Sequence, residues 1–136
     1  MRFSDVTPNL IVASVERSLA FYRDVLGFSL VTTVPEAPPF AFAWMQRDAV
    51  SVFLNGLDAV RDDHSGLAAR QIGGTATLYV VVEDATTADG VDALLASIGN
   101  RAPVMMELKD QFYGMREFGI EDPDGYVIFF AQRLPA

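Results

Sequence analysis

The chain has 136 residues, of which 51% are apolar and 21% charged, a balance that excludes a disordered chain and fits one domain with its own core. No apolar run approaches the roughly 18 residues of a membrane-spanning helix, and the absence of cysteine excludes disulfides and thiolate zinc sites. The net charge of −8 disfavours nucleic acids and anionic membranes as partners, because both would repel a negative surface.

The first half of the chain predicts a strand, a helix and three further strands. An apolar, partly β-branched run at 9–13 predicts the first strand, and the Ser14 hydroxyl that follows can accept from the first amides of a helix. Apolar residues then recur at helical spacing through 15–26, and Gly27 is typical of the residue after a helix. Proline-bearing and charged turns separate three more strands, expected at 28–34, 40–46 and 49–54.

The same order restarts after a polar, glycine-bearing connector. This connector is expected at about 56–73, with one short helix near 67–70. A strand at 75–82 follows, and either Asp84 or Thr86 can cap the next helix. The remaining elements are a helix and three strands, expected at 91–98, 104–108, 115–121 and 125–132.

The shared element order indicates a diverged internal duplication. We therefore expect an α+β fold of two tandem β-α-β-β-β modules. Module one is expected at about 6–55 and module two at about 74–133, within a single domain spanning 1–136.

The segment Asp122-Pro123-Asp124-Gly125 has the composition of a type I turn. Aspartate suits the first position, proline presets the backbone angle at the second, and glycine suits the fourth. The turn is predicted to join the last two strands as a hairpin, and by itself it carries no functional information.

Two segments resemble the vicinal oxygen chelate superfamily: 18–28, which reads Ser-Leu-Ala-Phe-Tyr-Arg-Asp-Val-Leu-Gly-Phe, and 114–118 running into the Asp-Pro-Asp-Gly turn. That superfamily includes glyoxalase I, the extradiol dioxygenases, and the fosfomycin and bleomycin resistance proteins, the last being closest in type. The resemblance implies that the modules form a curved mixed-sheet cup that holds a ligand, in a homodimer.

In the enzymes of this superfamily the cup holds a divalent metal on His and Glu side chains. The equivalent positions here are occupied by hydroxyl-bearing and apolar residues, namely Thr7, Ser51 (or Val52), Thr77 (or Thr75) and Phe129. Neutral hydroxyls bind divalent metals weakly, and phenylalanine and valine do not bind them. The resemblance therefore implies vacated metal positions, and we expect no cofactor.

Few other residues could replace the missing ligands. His64 is the one histidine, and we expect it to be a solvated residue of the connector, with an unusual metal site or general base as the alternative. Glu117 and Glu121 share a strand face that excludes Phe118 and Ile120, which favours a solvated outer face for both carboxylates. Glu107 could face either way.

Aromatic residues indicate a binding surface. Phe40, Phe42 and Trp44 alternate along one predicted strand and so share a face, where their rings could stack on a planar ligand. The alternative is that most of these rings form the core. An arginine in the loop before the turn could pair with a ligand carboxylate, or it could be an exposed hairpin residue. The full predicted ligand set is Phe40, Phe42, Trp44, Phe53, Glu107, Phe112, Tyr113, Met115 and Arg116.

The predicted function is that of a metal-free, cytoplasmic binding protein. Its partner would be a planar small molecule, cationic or neutral, such as an antibiotic, sequestered in an aromatic cup. One alternative is a metal-dependent glyoxalase-type or dioxygenase-type enzyme with a non-standard site. Another is an accessory subunit whose cup is filled by its own side chains. Metal content distinguishes the enzyme from the other two proteins. The presence of a cavity distinguishes the binding protein from the accessory subunit.

Overall fold

The structure is a computed structural model that describes residues 1–83 and 89–136. It contains four helices and eight strands among the described residues, in the order β1 (Asn9–Val12), α1 (Val15–Asp24), β2 (Ser29–Val34), β3 (Phe42–Arg47), β4 (Val50–Gly56), α2 (Leu57–Asp63), α3 (Ser65–Ala68), β5 (Thr77–Val81), α4 (Val91–Ile98), β6 (Val104–Asp110), β7 (Met115–Glu121) and β8 (Val127–Arg133). The two predicted capping residues of α4, Asp84 and Thr86, lie outside the described residues.

The chain divides into two compact units, Met1–Ile72 and Gly73–Ala136. Unit 1 holds a four-stranded mixed sheet in the order β1-β4-β3-β2, and unit 2 holds the equivalent sheet in the order β5-β8-β7-β6. In each sheet the first strand pairs in parallel with the fourth, and the other pairs are antiparallel. The predicted α+β fold with two β-α-β-β-β modules is confirmed.

Helix α1 covers one face of the sheet in unit 1. Ser14 caps it as predicted, its hydroxyl accepting from the Arg17 amide at 3.2 Å, and Gly27 takes the left-handed φ of +71° after its end. The helix packs on β3 and β4. The buried strand residues of this unit alternate with partly exposed ones, as expected for a sheet covered on one side: Leu10, Val12, Ala43, Met45, Val52 and Leu54.

Two short helices replace most of the predicted connector. We expected a polar segment with one helix near 67–70, but α2 begins at Leu57 and α3 ends at Ala68. Val60 is 7% exposed and provides a buried residue for α2, which packs on β1 and β4. The expectation was wrong here because one buried apolar residue, helped by the partly buried Leu57 and Ala59, is enough to anchor a two-turn helix whose other four residues are charged.

In unit 2, helix α4 packs on β7 and β8. Beneath it, Phe118 and Phe130 stack with ring centroids 5.4 Å apart, and Phe118 is fully buried. The Gln132 side chain accepts from the first amide of the helix, at Val91, over 2.9 Å. Even-numbered residues of β7 and β8 therefore lie on the helix-covered face, and odd-numbered residues lie on the opposite face.

The predicted turn joins β7 to β8. The Asp122 side chain accepts from the amides of Asp124 and Tyr126, each at 2.9 Å, and Gly125 takes a left-handed φ of +87°. These contacts fix the hairpin register, which places Gly119 opposite Phe129 and Glu117 opposite Ala131.

Candidate functional site

An aromatic cluster lies on the face of the unit 1 sheet opposite α1. Phe42, Trp44 and Phe53 are each half-buried, and we call these three residues the aromatic face. Phe53 contacts both neighbours, with ring centroids 5.3 Å from Phe42 and 5.9 Å from Trp44. The rings lie together because Trp44 on β3 pairs directly with Phe53 on β4.

Ser51 lies beside the aromatic face and holds one of its rings. The Trp44 indole N–H donates to the Ser51 hydroxyl at 3.1 Å, so the polar atom of the ring has a partner within the sheet. At the edge of the cluster the Asn55 amide donates to the Asn9 side chain. The hydrogen bond between Trp44 and Ser51 fixes the orientation of the indole, and a preorganised ring loses little entropy when it contacts a ligand.

Phe40 does not extend this strand. β3 begins at Phe42, so the prediction of a strand from residue 40 was wrong by two residues at its start. The Phe40 amide instead donates to the Glu16 side chain in the first turn of α1, and this hydrogen bond lowers the pKa of Glu16. The backbone at Phe40 is therefore tied to the helix rather than to a neighbouring strand.

The residues at the inferred metal positions do not fit a metal. The Ser51 hydroxyl accepts from Trp44, and Val52 is 1% exposed in the core. Phe129 is half-buried on β8, and Thr77 is exposed on β5. In the ranges 1–83 and 89–136, no group of three or more His, Asp or Glu side chains could hold a metal ion. Rings and hydroxyls therefore stand at these positions in place of imidazole and carboxylate.

The placement of the Phe129 ring depends on Gly119, the residue opposite it. A Cβ added at Gly119 would lie 2.8 Å from the Phe129 ring, which is closer than real Cβ atoms approach. The absence of a side chain at Gly119 thus allows the Phe129 ring to lie across β7.

Replacing Gly119 with alanine is expected to destabilise the protein by about 1–3 kcal/mol, because the added methyl group overpacks against Phe129. Urea denaturation followed by circular dichroism measures this loss. Gly66→Ala is the matched control, since nothing lies within 4 Å of its Cβ position, and it should be neutral or slightly stabilising. An equal loss for Gly119→Ala in a Phe129→Ala background would contradict the explanation.

The expectation of a solvated Glu117 was wrong. Glu117 is 4% exposed, and its two carboxylate oxygens accept hydrogen bonds from two tyrosines. Tyr79 donates from β5 at 2.7 Å, and Tyr113 donates from the turn between β6 and β7. We call these three residues the Tyr–Glu–Tyr cluster. It lies on the same face of the unit 2 sheet as Phe129, and its buried carboxylate is partnered rather than exposed to water.

The contacts of the cluster perturb its phenols. Partial removal from water, and then the hydrogen bond to Glu117, raise the pKa of Tyr79 to about 12, while the charge of Arg133 opposes this rise. The hydrogen bond to Glu117 also raises the pKa of Tyr113. Both tyrosines are therefore neutral hydrogen-bond donors at physiological pH.

A spectroscopic titration tests this arrangement. Because the folded pKa of Tyr79 lies above the unfolded value of about 10, its protonated phenol stabilises the fold below pH 10, and this contribution is lost as the pH rises to about 12. Absorbance at the tyrosinate band should show late ionisation in the wild-type protein, and the component that Tyr79→Phe removes should be a late one, since the pKa of Tyr113 is raised too. In Glu117→Gln that component should move toward pH 10, and an unchanged curve would contradict the assignment.

Arg116 lies on the opposite side of β7 from Glu117. Its guanidinium contacts both Asp92 oxygens, at 2.8 and 2.9 Å, and Asp110 at 2.9 Å. These contacts raise the pKa of Arg116 and lower that of Asp92. The guanidinium therefore ties β7 to α4 and to β6, and a role for Arg116 in ligand binding stays a prediction.

The other predicted site residues are dispersed. Phe112 is 99% exposed at the β6–β7 turn, beside the Tyr113 of the cluster, while Met115 is 8% exposed at the start of β7. Glu107 is exposed on β6, and His64 is exposed between α2 and α3.

Within the part of the chain that the structure describes, no helix is long and apolar enough to span a membrane.

Comparison with known proteins agrees with this architecture. A family model described as the Glyoxalase/Bleomycin resistance protein/Dioxygenase superfamily matches residues 4–130. A bleomycin resistance protein from Geobacillus stearothermophilus is 30% identical over 137 aligned positions, which cover 93% of this chain and 95% of the relative. A bleomycin resistance protein from Staphylococcus aureus shows the same identity and coverage.

Solved structures share the fold at lower identity. A glyoxalase/bleomycin resistance protein/dioxygenase from Nocardioides superposes with a TM-score of 0.75 at 20% identity, covering all of this chain and 87% of that one. A lactoylglutathione lyase from Agrobacterium tumefaciens gives 0.71 at 19% identity, covering 97% of this chain and 95% of that one. On the match to the family model and to the curated relatives, the chain belongs to the glyoxalase/bleomycin resistance protein/dioxygenase superfamily.

Proposed function

We propose that this protein binds a planar small molecule on the aromatic face of unit 1, without a bound metal. The observation that carries the proposal is the cluster of Phe42, Trp44 and Phe53, whose rings are grouped on one sheet face yet only half-buried. Rings that served only as core would be expected on the face covered by α1, where the strand residues are nearly inaccessible.

The geometry of the cluster suits a flat ligand. The planes of Trp44 and Phe53 meet at 87°, so the pair forms a corner rather than a flat stack. A planar ligand can lie against one ring and place its edge against the other, which is the favourable arrangement for aromatic contacts. The indole is already held by Ser51, so binding does not require it to be ordered first.

The relatives supply the class of ligand. Two curated relatives that cover nearly the whole chain are named bleomycin resistance proteins. A binding protein of that type protects by sequestration, and sequestration requires contact area and no catalytic residue. The net charge of −8 further favours a neutral or cationic compound over an anion. We also propose a homodimer, as the resemblance to these proteins implies.

The single tryptophan provides a direct test. Because Trp44 is the one tryptophan of the chain, all of its indole fluorescence reports on the aromatic face. Titration with bleomycin and with phenazine should give saturable quenching by at least one of them, with N-acetyltryptophanamide as the control for absorption by the ligand. Absence of a saturable change with both compounds, together with no heat of binding, would overturn the proposal.

A further inference from the structure

The Tyr–Glu–Tyr cluster has a chemical character that the aromatic face lacks. Glu117 is 4% exposed, but Tyr79 and Tyr113 are 49% and 51% exposed, so the buried carboxylate lies behind two accessible phenols. Each phenol has one proton, and both protons are donated to Glu117. The hydroxyl oxygens therefore offer only lone pairs to anything that approaches from solvent.

We propose that the Tyr–Glu–Tyr cluster binds the protonated amine of a ligand. An array that presents acceptors and no donors complements an ammonium group, which has donors and no acceptors. The carboxylate behind the phenols supplies the negative charge, and hydrogen bonds that run in series polarise one another. This inference concerns unit 2 alone and goes beyond the proposed function, which concerns the aromatic face of unit 1.

The rings of the cluster add to the attraction. Tyr79 pairs in register with Phe129, and both side chains lie on the same sheet face as Glu117. A cation above an aromatic ring is attracted by the electron density of its face. Arg133, at the exposed end of β8, lowers the pKa of Tyr79, and this effect is smaller than that of the charge of Glu117, which raises it.

An organic cation fits this cluster better than a metal ion. Calcium requires about six to eight oxygen ligands, and magnesium requires octahedral coordination. The cluster offers one carboxylate with both oxygens already hydrogen-bonded and two neutral phenols. An ammonium group needs only two or three acceptors and no displacement of the tyrosine protons.

Two probes with the same ring system isolate the charge. 2-Naphthylmethylamine is protonated at pH 7, and 2-naphthylmethanol is its neutral counterpart. In calorimetric titrations of the wild-type protein the amine should bind about tenfold more tightly or better than the alcohol, the size expected for hydrogen bonds to a charged group. In Glu117→Gln this preference should fall to within about twofold.

Glu121→Gln is the matched control, because it removes the same charge from the same face of β7 and should keep the preference. Retention of the preference in Glu117→Gln, or its loss in Glu121→Gln, would overturn the proposal. Binding of the alcohol without preference for the amine would also overturn it, while leaving the proposed function in place. Failure of the amine to bind the wild-type protein would overturn the proposal as well, without bearing on the aromatic face of unit 1.

A measurement on the wild-type protein covers the case in which Glu117→Gln does not fold. The chain has four tyrosines, so carbon-13 signals of their rings can be assigned with single phenylalanine variants. The amine probe should shift the hydroxyl-bearing ring carbons of Tyr79 and Tyr113 and not that of the buried Tyr22. If the amine leaves the Tyr79 and Tyr113 signals unchanged at saturation, the proposal is wrong.

Discussion

Replacing Trp44 with alanine is expected to weaken the binding of a planar ligand by about tenfold to a hundredfold. Truncation of a central aromatic residue at a binding surface typically costs one to several kcal/mol, and about 1.4 kcal/mol corresponds to a factor of ten. Trp44 is central here because it contacts Phe53 and is fixed by Ser51. Calorimetry is the appropriate measurement, since the variant has no indole fluorescence.

Two conservative variants refine this prediction. Trp44→Phe keeps an aromatic ring but removes the N–H that donates to Ser51, so it should lose only part of the affinity. Ser51→Ala leaves the indole in place without its acceptor and should cost a few-fold, by allowing the ring to reorient. Unchanged affinity in Trp44→Ala, with the protein folded by circular dichroism, would show that the ligand binds elsewhere.

Replacing Phe118 with alanine is expected to destabilise the protein by about 3–5 kcal/mol, the cost of removing a fully buried phenylalanine. Phe118 is inaccessible to solvent and stacks on Phe130 on the sheet face on which α4 packs. The loss is large against the free energy of unfolding of a typical domain, about 5–15 kcal/mol, so the urea denaturation midpoint of the variant should fall sharply.

Phe42→Ala is the comparison for Phe118→Ala. Phe42 is half-buried on the aromatic face, and its replacement should cost about 1–2 kcal/mol of stability while weakening the binding of a planar ligand. The two variants thus separate a ring that holds the fold from a ring that serves binding. Equal losses of stability would mean that the aromatic face is part of the core.

Much of the fold follows from local patterns in the sequence. Ser14 and Gly27 mark the two ends of α1 through capping and a left-handed backbone, and Asp122 to Gly125 specify the last turn through side-chain acceptors and a proline. These signals depend only on neighbouring residues. The start of β3 was placed two residues early because the pairing partners that end a strand are distant in sequence.

The aromatic face was also accessible from the sequence. Alternation places Phe42 and Trp44 on one side of a strand whichever residue begins it. The partner of the Trp44 indole was not predictable, because no local pattern pairs a residue of one strand with a particular residue of the next. The register of β3 with β4, which brings the two side chains together, appears only in the folded chain.

The Tyr–Glu–Tyr cluster was missed, although one signal pointed to it. Counting outward from the Asp122–Gly125 turn pairs Gly119 with Phe129, which places Glu117 on the same face as Phe129. The family resemblance implies that Phe129 lies on the ligand-holding face, so Glu117 is expected on that face too. Its burial depends on Tyr79, which is 38 residues away in sequence and is brought close only by the parallel pairing of β5 with β8.

The central claim is that the aromatic face binds a planar ligand without a metal. Its most direct test is a calorimetric titration of chelator-treated protein with bleomycin and phenazine, repeated after addition of nickel, zinc, manganese or iron(II). We predict saturable binding of at least one of the two compounds to the metal-free protein, with an affinity that added metal leaves unchanged. Binding that appears only after a metal is taken up in stoichiometric amount would contradict the claim.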